Sequence, residues 1–170
     1  MINAQILGDK ISSVSIDAFF LFDKSNFGEK KENKIEYSFA ETLFLVLSKK
    51  MQVYSSSKLI SFEKLLSKIK KIDKKIEMKL AVYSDLRKKG YIPKAALKFG
   101  AEFRVYDKGT KPGKDHAKWI LFSTKENDII KWQDFAAKNR IAHSTRKHLL
   151  IAILDQEGDI TYYQVGWIKP

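Results

Sequence analysis

Residues 147–154, KHLLIAIL, decide how this chain is read. Leu149 to Leu154 is apolar on both faces, as expected of a central strand covered on both sides. Working outward, Asp155-Gln-Glu-Gly-Asp159 reads as a tight turn into a last strand, Ile160 to Trp167. Upstream, Ile129 to Asn139 reads as an amphipathic helix containing Trp132 and Phe135. His116 to Ser123 and Leu97 to Tyr106 read as two more strands, and Lys147 to Leu154 as the strand that carries the apolar run. Everything beyond Gly90 is therefore expected to be a mixed sheet with helices. Gly90 itself is a natural residue just past a helix end. The pattern before it, residues 72–89, has Ile76, Leu80, Tyr83 and Leu86 at helix spacing.

The first part of the chain reads as a smaller α+β unit. Gly8-Asp9 separates two short β-like runs, Ala4 to Leu7 and Ile11 to Val14, and suggests a hairpin. Ile16 to Phe22 is a third apolar run among short strands and turns, and Lys24 to Lys34 is polar enough for a surface loop. Ser38 followed by Glu41 is a capping-box pattern opening a buried helix over residues 38–50. Ser61 opens another, with Phe62, Leu65, Leu66 and Ile69 on one face and lysines on a solvated one. A domain junction is expected near residues 70–80, giving domains 1–75 and 76–170.

Composition bounds the chemistry. The 170 residues are 44% hydrophobic and 12% aromatic, enough to build a core. There is no cysteine, which excludes disulfides and thiolate zinc sites. The three histidines, His116, His143 and His148, form no H-x-x-x-H pair, so a histidine-rich metal site is not expected. Catalysis would fall to His, Tyr, Lys and carboxylates, with no cofactor. A net charge of +12 makes nucleic acid the obvious partner, although lysine-rich surfaces also accompany AT-rich or thermophilic genomes. No apolar run approaches the ~20 residues that span a bilayer, and MINAQILGDK has no signal-peptide pattern. The expected location is the cytoplasm.

Four ordered motifs carry a sharper reading: YSDLRKKGY at 83–91, LKFGAEFRVY at 97–106, HAKWIL at 116–121 and RIAHSTRK at 140–147. Together with the last strand and the terminal residues 167–170, they resemble the archaeal tRNA-intron (tRNA-splicing) endonucleases. SFAETLFLV and ISFEKLL resemble that family's N-terminal domain more weakly. The resemblance implies a small N-terminal α+β domain and a catalytic domain of restriction-endonuclease-like fold. Matched by motif, it puts a catalytic triad on Tyr106, His116 and Lys147. The implied reaction is metal-independent. The ribose 2′-OH attacks the adjacent phosphate, leaving a 2′,3′-cyclic phosphate and a 5′-OH. Tyr106 would be the base, His116 the acid and Lys147 the electrostatic stabiliser of the phosphorane. An ordinary tyrosine has a pKa near 10, so a tyrosine base needs neighbouring cations. Lys147 is one source; Arg104 and Arg146 are others.

The resemblance also implies substrate and assembly. Arg140 matches an arginine that stacks on a bulged base, and Ser144, with His143, either lines the phosphate pocket or orders its loop. The substrate would be precursor tRNA in a bulge–helix–bulge form. Asp155, Glu157 and Asp159 resemble an acidic loop that inserts into an opposing subunit, or are an ordinary turn. The implied assembly is a homotetramer, or a heterotetramer with a structural paralogue. A chain carrying both triad and acidic turn favours the homotetramer. Ala96, Glu102 and Thr145 depart from common family residues (Gly, Asp and Val) without touching the triad. Three readings compete: a non-catalytic RNA-binding subunit, against which the intact triad argues; a metal-dependent DNA nuclease, of whose motif Asp115-His-Ala-Lys118 is a poor imitation; and a purely structural protein, which leaves the ordered motifs unexplained.

Overall fold

The Gly8-Asp9 turn joins two antiparallel strands, β1 (Ile2–Leu7) and β2 (Lys10–Ser13), with Leu7 opposite Lys10. These belong to a computed structural model that describes residues 1–168. It forms two compact units, divided between Tyr83 and Ser84. Each is a mixed sheet with helices, the α+β architecture expected.

The apolar run at 16–22 is not a strand. It forms helix α1 (Ile16–Ser25), ended by Asn26 in the left-handed conformation. After Ile16 the run IDAFFLFDK has no β-branched residue, and Asp17 and Lys24 sit at the helix ends whose partial charges they complement. The polar stretch from Lys24 to Lys34 is not a continuous surface loop but runs into a hairpin, β3 (Glu29–Lys31) and β4 (Lys34–Tyr37). Its polarity reflects position, because β3 is the outermost strand of its sheet. Helix α2 (Phe39–Leu47) starts where Ser38 indicates, the Ser38 hydroxyl accepting from Glu41 N at 3.4 Å. β5 (Met51–Ser55) and β6 (Lys58–Leu59) complete the sheet in the order β3-β4-β2-β1-β5-β6, with β5 parallel to β1. Helix α3 (Phe62–Ile72) is capped by Ser61 and buries Leu65 and Ile69. Helix α4 (Ile76–Lys88) ends at Gly90, whose φ of +91° suits glycine.

Glu41 does more than open α2. It is 4% exposed, and its Oε1 accepts from Gly28 N at 2.8 Å and from the Tyr83 hydroxyl at 3.0 Å. Tyr83 is itself fully buried, edge-on to Phe44. The carboxylate thus ties three segments of the first unit together: the α1–β3 turn, α2 and α4.

The second unit is a five-stranded sheet in the order β11-β10-β9-β8-β7. Its strands are β7 (Ile92–Ala96), β8 (Ala101–Tyr106), β9 (Trp119–Lys125), β10 (His148–Leu154) and β11 (Ile160–Val165). The expected strand at 97–106 starts late, because Leu97–Phe99 is a 3₁₀ turn and Gly100 reverses the chain with φ +64°. That turn makes β7 and β8 an antiparallel pair. The expected strands at 116 and 147 also start later, leaving His116 and Lys147 in the segments that lead into β9 and β10. Helix α5 (Trp132–Ser144) runs past the expected end at Asn139 and includes Arg140.

β10 lies between two partners, parallel to β9 and antiparallel to β11, as its doubly apolar sequence requires. Parallel strands need a crossover, and α5 supplies it. The register sets Ile120 beside Leu149 and Phe122 beside Ile151. The buried Ile120, Phe122 and Leu149 pack with Ala142 of α5, and Phe135, Ile141 and Ile151 pack against them. Among the described residues no helix is long and apolar enough to cross a membrane. The terminal motif at 167–170 is described only to Ile168; Lys169 and Pro170 lie outside the described residues.

Substitution of Glu41 by alanine removes the acceptor shared by Gly28 and Tyr83. The expected loss is about 3 kcal/mol, read by denaturant unfolding followed through the first unit's signals. A change within experimental error would show that the buried carboxylate does not hold the first unit together.

Candidate active site

Strand register brings the three expected catalytic residues to one edge of the second sheet. Tyr106 is the last residue of β8. β8 and β9 are antiparallel, with Val105 opposite Trp119, so the end of β8 meets the beginning of β9. β9 and β10 are parallel, with Trp119 beside His148, so both begin at that same edge. His116 lies three residues before β9 and Lys147 one residue before β10. Adjacent strands are about 4.8 Å apart, so β8 and β10 are separated by roughly 10 Å.

The three side chains differ in setting. Tyr106 is 5% exposed and packs with Ile92 and Ala117. His116 is exposed in the loop from 107 to 118, the segment that joins β8 to β9. Lys147 is half-buried, and its ammonium donates to the carbonyl of Thr145 at 2.9 Å. The loop before His116 is shaped by its own carboxylates. Asp115 Oδ2 accepts from Lys111 N, and Asp107 accepts from Lys108 N at 2.8 Å. The Asp107 carboxyl is held below the usual range by that amide and by the Lys118 ammonium. Among the described residues, no group of three or more His, Cys, Asp or Glu side chains is placed to hold a metal ion.

How Lys147 is presented follows from the end of α5. The Lys147 amide donates to Ala142 O, and the Arg146 amide to His143 O, both at 2.9 Å. This pairing is a Schellman motif, with Arg146 in the left-handed position at φ +56°. The hydroxyl of Thr145 donates toward the carbonyls of Ile141 and Ala142, and that of Ser144 donates to Ile141 O at 3.0 Å. Thr145 thus binds carbonyls in the last turn of α5.

Beside this turn lies a pocket of about 630 Å³, lined among others by Lys147, Ser144, His143, Arg146 and His148. Trp167 closes one side, its ring 4.1 Å from that of His143 and nearly perpendicular to it. Sequence reasoning named Ser144 and His143 as pocket candidates, and Arg146 only as a neighbouring cation. It missed Asn139, His148 and Trp167 as lining. Their common signal is position, since they flank the same end of α5, β10 and β11. Arg140 is exposed on α5 and is not among the pocket's lining residues. Asp155, Glu157 and Asp159 are not brought to this edge. They form the turn at the far end of β10, about 20 Å away along the strand. There Asp155 Oδ1 accepts from Asp159 N at 2.8 Å, while Glu157 and Asp159 stay exposed.

Comparison with known proteins fits this architecture in both units. Residues 76–162 match the model of the "tRNA intron endonuclease, catalytic C-terminal domain", and residues 2–66 match that of the "tRNA intron endonuclease, N-terminal domain". The chain belongs to the tRNA intron endonuclease family. A protein of Thermococcus kodakarensis named tRNA-splicing endonuclease is 35% identical over 170 residues, covering 99% of each chain. One of the same name from Methanothermobacter thermautotrophicus is 37% identical over 96% of each chain. Another, from Nanoarchaeum equitans, is 38% identical over 79% of this chain and 90% of its own. The chain therefore carries both family domains and is an endonuclease, as its motifs indicated.

The left-handed Arg146 generates a stability prediction. Glycine takes this conformation without strain, whereas a β-branched residue is penalised by about 1–2 kcal/mol. Arg146→Gly should therefore be at least as stable as the parent, and Arg146→Val less stable than Arg146→Gly by about that amount. Paired thermal unfolding curves measure the difference; equal midpoints would refute the strained turn.

Proposed function

We propose that this protein cleaves precursor tRNA at intron boundaries without a metal, using Tyr106, His116 and Lys147. The observation that carries this reading is the strand register. It draws a tyrosine, a histidine and a lysine from three separated motifs to one sheet edge. The name that the relatives carry, tRNA-splicing endonuclease, supports precursor tRNA as the substrate.

In this mechanism the ribose 2′-OH gives its proton to Tyr106, acting as its phenolate, as it attacks phosphorus. The bond from phosphorus to the 5′-oxygen breaks, and His116 delivers a proton to that oxygen. An imidazole suits the step because its ordinary pKa, about 6.5, lies near neutrality. Lys147 offsets the charge that builds on the non-bridging oxygens. The products are a 2′,3′-cyclic phosphate and a 5′-OH. Exposed Arg140 stacks on a bulged base, and Ser144 and His143 border the phosphate. The scissile RNA is a bulge–helix–bulge with two cuts. Two active sites must therefore act together, and the proposed assembly is a homotetramer. The exposed Glu157 and Asp159 are its intersubunit contacts.

The purified protein alone should cut a bulge–helix–bulge RNA in excess EDTA and leave cyclic phosphate ends. Under single turnover, His116→Ala is expected to lose on the order of 10²–10⁴ in rate and Lys147→Ala about 10²–10³. Abolition by EDTA would overturn the metal-free chemistry, and an unchanged rate for Tyr106→Phe would remove Tyr106 as base. Arg140→Ala should weaken cleavage of bulged RNA; full activity would dismiss its stacking role.

A further inference from the structure

The main chain of Lys118 hydrogen-bonds both to the strand ending in Tyr106 and to the strand that follows Lys147. Its amide donates to Val105 O at 2.9 Å, and its carbonyl accepts from His148 N at 3.0 Å. Its neighbours are therefore the residue before Tyr106 and the residue after Lys147, while Lys118 itself stands two residues after His116. The side chain adds a further link. Lys118 Nζ lies 3.2 Å from Asp107 Oδ2, and Asp107 is the residue directly after Tyr106. The same ammonium sits 4.6 Å from the centre of the Trp119 ring. That ring is anchored in turn, its indole N–H donating to Gln164 Oε1 at 2.6 Å and its edge meeting Tyr91 at 5.7 Å.

We infer that the Lys118–Asp107 ion pair is a positioning clasp that closes the base of the 107–118 loop and so fixes His116 relative to Tyr106. This inference rests on the triad assignment proposed above. The loop starts right after Tyr106 and presents His116 near its other end, so its two stems decide how far apart the two proton-transferring groups sit. Backbone pairing alone fixes one side of the stem, at Val105 and Lys118. The ion pair fixes the next step outward, where the strands have stopped pairing. Such a pair, about half exposed on both sides, adds little to global stability. Its effect would fall on geometry, where a displacement of about 1 Å can change a rate by up to 10²-fold.

The alternative role for Lys118 is direct contact with an RNA phosphate, and the two roles differ in what Asp107 does. The test is a double-mutant cycle on cleavage of a bulge–helix–bulge RNA. It uses the full-length protein, with single-turnover rates at saturating enzyme and a separate binding titration. For the clasp, Lys118→Ala and Asp107→Ala each lower the saturated rate by roughly tenfold. The double variant is no slower than either single one. RNA affinity and the melting temperature stay close to the parent's, and Lys118→Arg recovers most of the rate. A loss confined to Lys118→Ala that appears as weaker, less salt-dependent binding would overturn the clasp in favour of a phosphate contact. Parental rates for both single variants would overturn it as well. His116→Ala and Tyr106→Phe run beside them. If those two cleave like the parent, the triad assignment has failed; if they are inactive while the clasp variants are normal, only the clasp has.

Discussion

The backbone register around Lys118 is the constraint on which the candidate site depends. An antiparallel partner on one side and a parallel partner on the other force β9 to begin beside the end of β8 and the beginning of β10. This register brings Tyr106, His116 and Lys147 to a common edge. A slip of one residue in either pairing would turn every side chain of β9 to the opposite face. That slip is prevented by burial on both faces, since Trp119 to Ser123 are all buried. The apolar strand and the polar edge are thus one design: the core fixes the register, and the register places the chemistry.

The two ends of this sheet are specialised. At one end lie the triad candidates, the pocket against Trp167, and the last turn of α5 that presents Lys147. Helix carbonyls concentrate there with partial negative charge, and the Lys147 ammonium donates to the carbonyl of Thr145, the residue just past the helix. At the other end is the acidic turn at 155–159, too far along β10 to take part in the same site. In the proposed assembly this acidic turn would meet a basic surface of another copy of the chain, whose net charge is +12.

The first unit is organised by a different interaction. Glu41 was legible as half of a helix-capping pair with Ser38, and the cap is present. Its burial and its bonds to Gly28 and Tyr83 were not legible, because those partners lie 13 and 42 residues away. Helix periodicity shows which side of α2 is apolar. It does not show that a carboxylate on that side will find two donors.

Sequence alone determined the α+β class, both serine-capped helices, the hairpin at Gly8, the buried strand at 149–154 and the family. Each rests on local patterning or on motifs contiguous in the chain, and both survive without knowledge of the fold. The same local reasoning misread Ile16 to Phe22, where an apolar run too short to show a period was compatible with strand or helix. It also ran strands through Leu97, His116 and Lys147, because apolar alternation does not mark where pairing stops. Tertiary structure decided what the motifs could not: which strand edges meet, that Asn139, His148 and Trp167 share a pocket with Lys147, and that Lys118 spans the strands on either side. These are relations between residues far apart in sequence, set by hydrogen-bond register across a sheet, and no single stretch of the chain encodes them.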